Sequence, residues 1–255
     1  MIFTDTHTHI YSEAFEEDQA AMMQRAFDNG LARFFVPAID ASYTAEMKRV
    51  KEAYPDKVFL MAGLHPTHVK ENYKAELNHV ATELDTYNYV AVGEIGIDLY
   101  WDKSTLGIQQ EAFRYQIQLA KKHNLPIVIH CRDAFDAVFE ILEEEKGEDL
   151  YGIFHCFTGT HEQALKAIGY NLKLGIGGVV TFKNGKIDKF LGQIDLKHIV
   201  LETDAPYLAP TPFRGKRNEP SYLIKVAEKL AEIYDLPLSE IALRTTANSK
   251  QVFGI

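Results

Sequence analysis

The sequence has few of the features that mark secreted or membrane-bound chains. Its 255 residues include two cysteines, Cys131 and Cys156, and one tryptophan. Two cysteines provide no disulfide framework, which favours a reducing compartment. No uncharged apolar run reaches the length of about 18 residues that a membrane helix needs, and the first ten residues contain no export signal. We therefore expect a soluble, cytoplasmic protein that contacts no membrane.

The chain also has no excess of positive charge. Its 27 basic and 36 acidic side chains give a formal net charge of −9, which opposes long-range attraction to polyanions such as nucleic acids. Salt limits the reach of this charge to a Debye length of about 8 Å at physiological ionic strength. A few basic side chains or bound cations in one cleft therefore suffice to hold a phosphate.

No linker-like or low-complexity stretch divides the chain, so we expect one domain over residues 1–255. Short apolar runs alternate with stretches of helical period, such as 15–29, 75–85, 106–123, 134–145, 221–234 and 239–253. Eight of these runs are predicted strands: 2–5, 33–38, 58–63, 90–93, 127–130, 152–155, 171–175 and 199–201. Such alternation is typical of α/β folds with parallel strands. Eight units of about thirty residues predict a single-domain (β/α)8 TIM barrel, and a doubly wound open sheet is the alternative.

Histidines follow several of these predicted strands. His7 and His9 come directly after the first strand, and the alternation of an extended chain directs both imidazoles to the same side. His130 and His155 each end an apolar strand. Because the carboxyl ends of barrel strands meet on one face, these residues are expected to converge. Taken singly, each histidine is equally consistent with a hydrogen-bonded structural role. The adjacent Cys131 and Cys156 are expected to point away from this group.

Carboxylates occupy similar positions. Glu94 lies between glycines at the end of the fourth strand, where we expect a sharp turn that leaves the acid uncovered. Glu202 and Asp204 end the eighth strand two residues apart, and like charges this close are tolerated near cations. Four imidazoles and these acids exceed the donors of one tetrahedral site. They predict two adjacent divalent metals that share a bridging carboxylate.

Five motifs in this order resemble the TatD family of metal-dependent deoxyribonucleases, which belongs to the metal-dependent hydrolase superfamily of TIM barrels. They are the HxH pair, VGEIGID, IVIHCRDA, FHCFTG and ETDAPYLAP. The resemblance implies two ligand sets that share Glu94 as the bridge: His7, His9, Glu94 and Asp204 for one metal, and Glu94, His130 and His155 for the other. Related amidohydrolases carry a carbamylated lysine at the bridging place, so Glu94 favours the deoxyribonuclease branch.

This resemblance implies a hydrolase that cleaves DNA phosphodiester bonds, with 3′–5′ exonuclease action included. Asp204 is the predicted general base, Glu94 the bridging ligand, and Glu202 either orients a ligand or holds an additional cation. Two divalent cations per chain are expected; the resemblance favours magnesium or manganese, and the mixed donors also admit zinc. Two other hypotheses remain: an amidohydrolase-type enzyme for an amide, ester or lactone, and a non-catalytic metal-binding partner protein.

Substrate contacts are predicted from basic and aromatic residues near these motifs. They are His65 in GLHPTH, Arg132 in HCRDA, and Arg214, Lys216 and Arg217 in the loop after the eighth strand. A turn histidine, a salt bridge and a solvated loop are the respective alternatives. Asp98 is expected either to orient a metal ligand or the substrate, or to stabilise a turn. Tyr100, Trp101 and Tyr207 are expected either to stack on bases or to pack at the rim of the barrel. The expected partner is DNA, single-stranded or at its 3′ ends, bound by a monomer.

Overall fold

The computed structural model describes residues 1–255, whose eight parallel strands stand side by side in chain order. They are β1 Phe3–Asp5, β2 Leu31–Val36, β3 Val58–Ala62, β4 Ala91–Asp98, β5 Ile127–Arg132, β6 Gly152–Phe154, β7 Leu172–Ile176 and β8 Ile199–Leu201. Backbone hydrogen bonds of 2.9 Å, from Thr6 N to Leu201 O and from Asp204 N to His7 O, join β1 to β8 and nearly close the sheet. The predicted (β/α)8 barrel is therefore confirmed. The doubly wound alternative is wrong, because such sheets do not have sequential strand order.

Eight α-helices surround the strands. They are α1 Gln19–Asp28, α2 Thr44–Ala53, α3 Tyr73–Thr86, α4 Leu106–His123, α5 Phe135–Glu144, α6 His161–Gly169, α7 Leu223–Tyr234 and α8 Leu238–Phe253. One helix follows each of the first six strands, only 3-10 turns lie between β7 and β8, and α7 and α8 follow β8. None of these helices combines the length and apolarity needed to cross a membrane.

The barrel interior is filled by one apolar side chain from each of six strands. The C-terminal end of α8 packs against this layer, and the Phe253 ring stacks on Phe35 with 3.8 Å between centroids. A helix of this fold runs antiparallel to the strands, so its last residues lie at their amino ends. This plug closes one mouth of the barrel and leaves the other mouth for the residues that follow the strands. The layer consists of Phe35, Met61, Ala91, Val128, Ile153 and Val200.

Two buried glutamines of α4 fix strand ends near that open mouth. Gln109 accepts a hydrogen bond from Asp98 N at 2.8 Å and donates one to Asp98 O at 3.0 Å. Gln116 does the same for Leu64, with distances of 2.7 and 3.2 Å. Periodicity assigns Gln109 to the polar outer side of the helix, but the residue is buried. Burial is tolerated because both polar ends of each amide are paired.

Candidate metal centre

The predicted metal ligands meet around the Glu94 carboxylate. His7 Nε2 lies 3.2 Å and His9 Nε2 lies 3.7 Å from Glu94 Oε2. On the other oxygen, Oε1, His130 Nδ1 lies at 2.8 Å and His155 Nε2 at 3.6 Å. Oε2 of Glu94 therefore faces His7 and His9, and Oε1 faces a second group of imidazoles that includes His130 and His155. A carboxylate that bridges two ions has its two oxygens divided in this way.

Asp204 contributes the second carboxylate at this point. Its Oδ1 lies 3.5 Å from His9 Nε2 and 3.8 Å from both His7 Nε2 and His155 Nε2. Its backbone has a φ of +55°, just past the end of β8. The side chain is 13 % exposed, whereas that of Glu94 is 3 % exposed. Asp204 is therefore the carboxylate that solvent and a substrate reach more easily.

Two donor pairs, His7 with Glu94 and His130 with Glu94, are within hydrogen-bond distance, and the longer separations are close to those between ligands of one metal. Metal–nitrogen and metal–oxygen bonds of about 2.0–2.2 Å put neighbouring donors about 3.0–3.6 Å apart in octahedral or tetrahedral geometry. Most separations at Glu94 and Asp204 lie between 3.2 and 3.8 Å. Donors of His7, His9 and Glu94, and those of His7, His155 and Asp204, all lie within 4.8 Å of one another. The residues present therefore fit divalent cations.

The acids also impose their negative charge on the buried imidazoles. Burial lowers the pKa of His155, but the charges of Glu202 and Glu94 outweigh it and raise this pKa to about 10. Burial also lowers the pKa of His130, but hydrogen bonds with Asp98 and Glu94 outweigh it and raise this pKa to about 8. Such shifts mean that the surroundings favour positive charge at this point. A bound divalent cation supplies that charge and leaves the imidazoles neutral for ligation.

Glu94 lies inside β4, so the turn expected at VGEIG is not formed. β4 continues to Asp98, and its register against β5 shifts between Gly93 and Ile95. This bulge directs Glu94 into the barrel mouth. Gly96 allows β4 to approach β5 closely: its φ is +141°, and a Cβ at this position would lie 2.0 Å from His130 O. The predicted turn is wrong, because one glycine beside a bulge and another at a close contact between strands give the same sequence pattern as a turn.

Glu202 contacts the far side of the His155 ring. Its Oε1 lies 2.9 Å from His155 Nδ1 and accepts a hydrogen bond of 2.7 Å from Cys156 N. The other oxygen, Oε2, is buried without a hydrogen-bond partner. A Cβ at Gly175, in β7, would lie 2.1 Å from Oε2, so this glycine leaves room for the carboxylate. The hydrogen bond from Cys156 N holds the carboxylate in place, and Oε1 sets its negative charge against Nδ1 of the imidazole.

His65 lies closer to the centre than a substrate contact alone requires. Its Nε2 is 3.5 Å from Glu94 Oε1 and 3.3 Å from His130 Nδ1, and these three residues form another group that fits a metal. Burial lowers the pKa of His65 to about 4, so its ring is neutral near pH 7. Asp98 Oδ2 lies 2.9 Å from His130 Nε2 and orients that ring. His65 therefore borders both the metal donors and the space in front of them.

These residues open onto a cavity of about 580 Å³ at the carboxyl mouth of the barrel. Arg132 lines it, as predicted for a substrate contact, and so do both cysteines. Cys131 also packs against the apolar core, as expected of it. For Cys156 the expectation of pointing away is wrong, because a φ of +43° breaks the strand alternation and its sulfur lies within 4.8 Å of donor atoms of His155 and Glu202. His68 also lines the cavity, with Nδ1 2.5 Å from Asp40 Oδ2. The sequence interpretation gave His68 no role, although its place just after β3 was a usable signal.

The basic loop after β8 does not line this cavity. Arg217 donates hydrogen bonds of 2.7 and 2.8 Å to the two carboxylate oxygens of Asp18. Arg214 lies over the Phe182 ring, 3.6 Å from its centroid, and Lys216 is exposed. The structure therefore brings Arg132 and His65 to the centre and leaves these three cations outside it, with Arg217 engaged in a salt bridge.

Comparison with known proteins gives the family. Residues 4–254 match the family described as TatD related DNase. The chain is 42 % identical over 256 residues to the uncharacterized metal-dependent hydrolase YabD of Bacillus subtilis, with all of both chains covered. It is 29 % identical to the 3′-5′ ssDNA/RNA exonuclease TatD of Pantoea ananatis, covering 98 % of this chain and 99 % of that one. The crystal structure of YJJV, a TatD homolog from Escherichia coli, superposes with a TM-score of 0.93 at 31 % identity, covering 99 % and 98 % of the two chains. The chain belongs to the TatD family of metal-dependent hydrolases.

Proposed function

We propose that this protein hydrolyses phosphodiester bonds of single-stranded DNA from the 3′ end with two divalent cations. The observation that carries the proposal is the division of imidazoles between the two oxygens of Glu94, with Asp204 beside them. Paired cations that share a carboxylate are the usual means of cleaving phosphate esters. A relative with 29 % identity that is named a 3′-5′ ssDNA/RNA exonuclease supports the same chemistry.

In this proposal the two cations have ligand sets that share only Glu94. When bound, they lower the pKa of a coordinated water and offset negative charge on the phosphate oxygens. Magnesium or manganese is the proposed metal, and zinc is compatible with the mixed nitrogen and oxygen donors. The first set is His7, His9, Glu94 and Asp204, and the second is Glu94, His130 and His155.

Asp204 is the proposed acceptor for the proton of the attacking water. Burial raises the pKa of its carboxyl, but the close approach of the His9 ring and the charges of His155 and His7 hold that pKa below its usual range. The group is therefore ionised at neutral pH and more exposed than Glu94. On the other side of the cavity, the guanidinium of Arg132 is the proposed partner of a nonbridging phosphate oxygen.

The size of the cavity favours a strand end over a long duplex. A volume of about 580 Å³ is that of a pocket for a small molecule, enough for a nucleotide or two. The net charge of −9 and the absence of Arg214, Lys216 and Arg217 from the lining argue against an extended phosphate track. Attack at a 3′ end requires only local contacts around one scissile phosphate.

The test uses the metal-reconstituted protein with 5′-labelled single-stranded DNA, RNA and duplex DNA, beside a panel of lactones, esters and amides. We expect the single strand to shorten progressively from its 3′ end. Asp204→Asn should lower kcat by about 10²–10⁴-fold, the range for a lost general base. Asp18→Asn, a matched change outside the centre, should leave kcat unchanged. Lactone or amide hydrolysis with intact DNA would overturn the proposal, and metal binding without any hydrolysis would support a non-catalytic role.

A further inference from the structure

We propose that Tyr100, Trp101 and Arg132 form a stacking platform for a nucleobase beside the metal centre. This inference rests on the proposed function, because it assigns a place to the base of a nucleotide that flanks the scissile bond. The platform lies at the junction of β4 and β5, the strands that carry Glu94 and His130.

The three side chains are already arranged as planar groups in contact. The rings of Tyr100 and Trp101 lie 4.9 Å apart between centroids, with an angle of 89° between their planes. The guanidinium carbon of Arg132 lies 3.7 Å from the Tyr100 centroid and 5.6 Å from that of Trp101. Trp101 and Arg132 both line the cavity that contains the metal donors. A planar ligand in that cavity therefore meets an aromatic and a guanidinium surface.

The exposure of these rings is the second observation. Trp101 is 72 % exposed and Tyr100 is 52 % exposed, although both carry large apolar surfaces. Across the same cavity, Tyr207 is 53 % exposed and lies 5.9 Å from the His9 ring. A cluster of exposed aromatic groups around one polar pocket is informative, whereas scattered exposed apolar residues are ordinary. Binding of a flat apolar ligand would remove this surface from water.

The backbone holds the platform at a fixed position relative to the centre. Leu99 N donates a hydrogen bond of 2.9 Å to Arg132 O, and Tyr100 N donates one of 3.0 Å to Asp98 Oδ1. The other oxygen of Asp98 lies 2.9 Å from His130 Nε2. One carboxylate thus joins the platform to a metal ligand. Such preorganisation reduces the entropy lost when a ligand binds.

A nucleobase is the ligand whose chemistry matches this surface. Every base has a π-face, and stacking on aromatic rings is the usual way in which proteins hold single strands without reading their sequence. Arginine adds a planar cation that stacks on rings and pairs with phosphate. The base and the phosphate of one nucleotide are joined, so the platform and the metal centre can hold both at once. An amide, ester or lactone group by itself is planar but has a much smaller face than a nucleobase.

The only tryptophan of the chain lies in the platform, so its emission reports on this site alone. The first measurement titrates the metal-reconstituted protein with a cleavage-resistant phosphorothioate oligonucleotide. We expect quenching of Trp101 emission by the intact strand and much less by a strand with abasic residues at its two 3′-terminal positions. Unchanged emission with saturating oligonucleotide would overturn the platform.

The second measurement compares kcat/KM for matched single strands that carry either a base or an abasic residue at one of the two 3′-terminal positions. In the wild type, the abasic change should cost roughly 5- to 150-fold at one position, the range for one stacked base. Trp101→Ala should lose that discrimination, and Trp101→Phe should keep most of it. Tyr115→Ala, on the exposed side of α4, should behave as the wild type.

The outcomes separate the platform from the proposed function. If the wild type cleaves DNA and Trp101→Ala keeps the full preference for base-bearing strands, the platform is wrong and the function stands. If the wild type cleaves neither DNA nor RNA, the function is wrong, and the emission measurement decides the platform. Quenching by mononucleotides would then support a nucleotide site, and its absence would overturn both inferences.

Discussion

Replacing Glu202 by glutamine tests whether a buried carboxylate sets metal affinity through His155. The glutamine keeps the volume and an acceptor oxygen for Cys156 N, which now donates at 2.7 Å, and it removes the charge 2.9 Å from His155 Nδ1. A carboxylate behind a ligating imidazole raises the basicity of that ligand and fixes its orientation. Its loss typically costs about 10–100-fold in metal affinity, or about 1.4–2.7 kcal/mol.

Affinity is measured by calorimetric titration of the EDTA-treated protein with Mn²⁺, together with the metal dependence of activity. We expect Glu202→Gln to bind Mn²⁺ 10–100-fold more weakly and to recover much of its activity at high metal concentration. Gly175→Ala should act in the same direction, because its Cβ would lie 2.1 Å from Glu202 Oε2. Glu219→Gln is the matched control: this buried glutamate pairs with Arg25 at 2.6 Å and touches no metal donor. Affinity of Glu202→Gln within twofold of the wild type would refute the reasoning.

Two further predictions concern stability. Phe253→Ala removes the ring that stacks on Phe35 at the closed mouth of the barrel, and it should lower the free energy of unfolding in urea by about 3–5 kcal/mol. The control Leu243→Ala, at an exposed position, should lower it by less than about 0.5 kcal/mol. A loss below about 1 kcal/mol for Phe253→Ala would contradict the packing role of this ring. Hydrogen bonds from Arg217 lower the pKa of Asp18 to about 2, below its unfolded value near 3.8, so this stabilisation is present above pH 4 and is lost as pH falls toward 2. Asp18→Asn should therefore be less stable than the wild type at pH 6, by on the order of 1 kcal/mol after solvent screening, with the difference closing near pH 2; a gap that stays constant with pH would show another cause.

The fold was predictable because its determinants are local and repeated. Each predicted strand overlaps a strand of the structure, although β5 extends two residues beyond the predicted 127–130 and β4 extends to Asp98. The predicted helix 106–123 has the predicted bounds. The buried glutamines of α4 were not predictable from periodicity. Their burial depends on unpaired backbone groups of Leu64 and Asp98, which become neighbours only after the barrel has formed. The burial of a polar residue on the inner side of a helix therefore depends on tertiary contacts, which the helical periodicity of the sequence does not show.

The convergence of the metal donors was predictable from topology, since all parallel strands of a barrel end on one face. Its finer geometry was not. The bulge that turns Glu94 inward depends on the register between β4 and β5, and the approach of His65 to Glu94 depends on where β3 ends. The salt bridge of Arg217 joins residues 199 positions apart, so the loop sequence alone gave no sign that this cation was engaged.

The charge distribution connects the fold to the proposed substrate. A chain with a net charge of −9 repels a polyanion at long range, yet its open mouth gathers donors that favour cations. Of the four basic residues predicted as cationic contacts, only Arg132 lines that mouth. In the proposed function, attraction of DNA would depend on bound metal and on one arginine, and the proposed stacking on Trp101 would add affinity that salt does not screen. The proposed site would hold one phosphate and one base and would give no support to the rest of a strand, and this distribution of binding energy would favour chain ends.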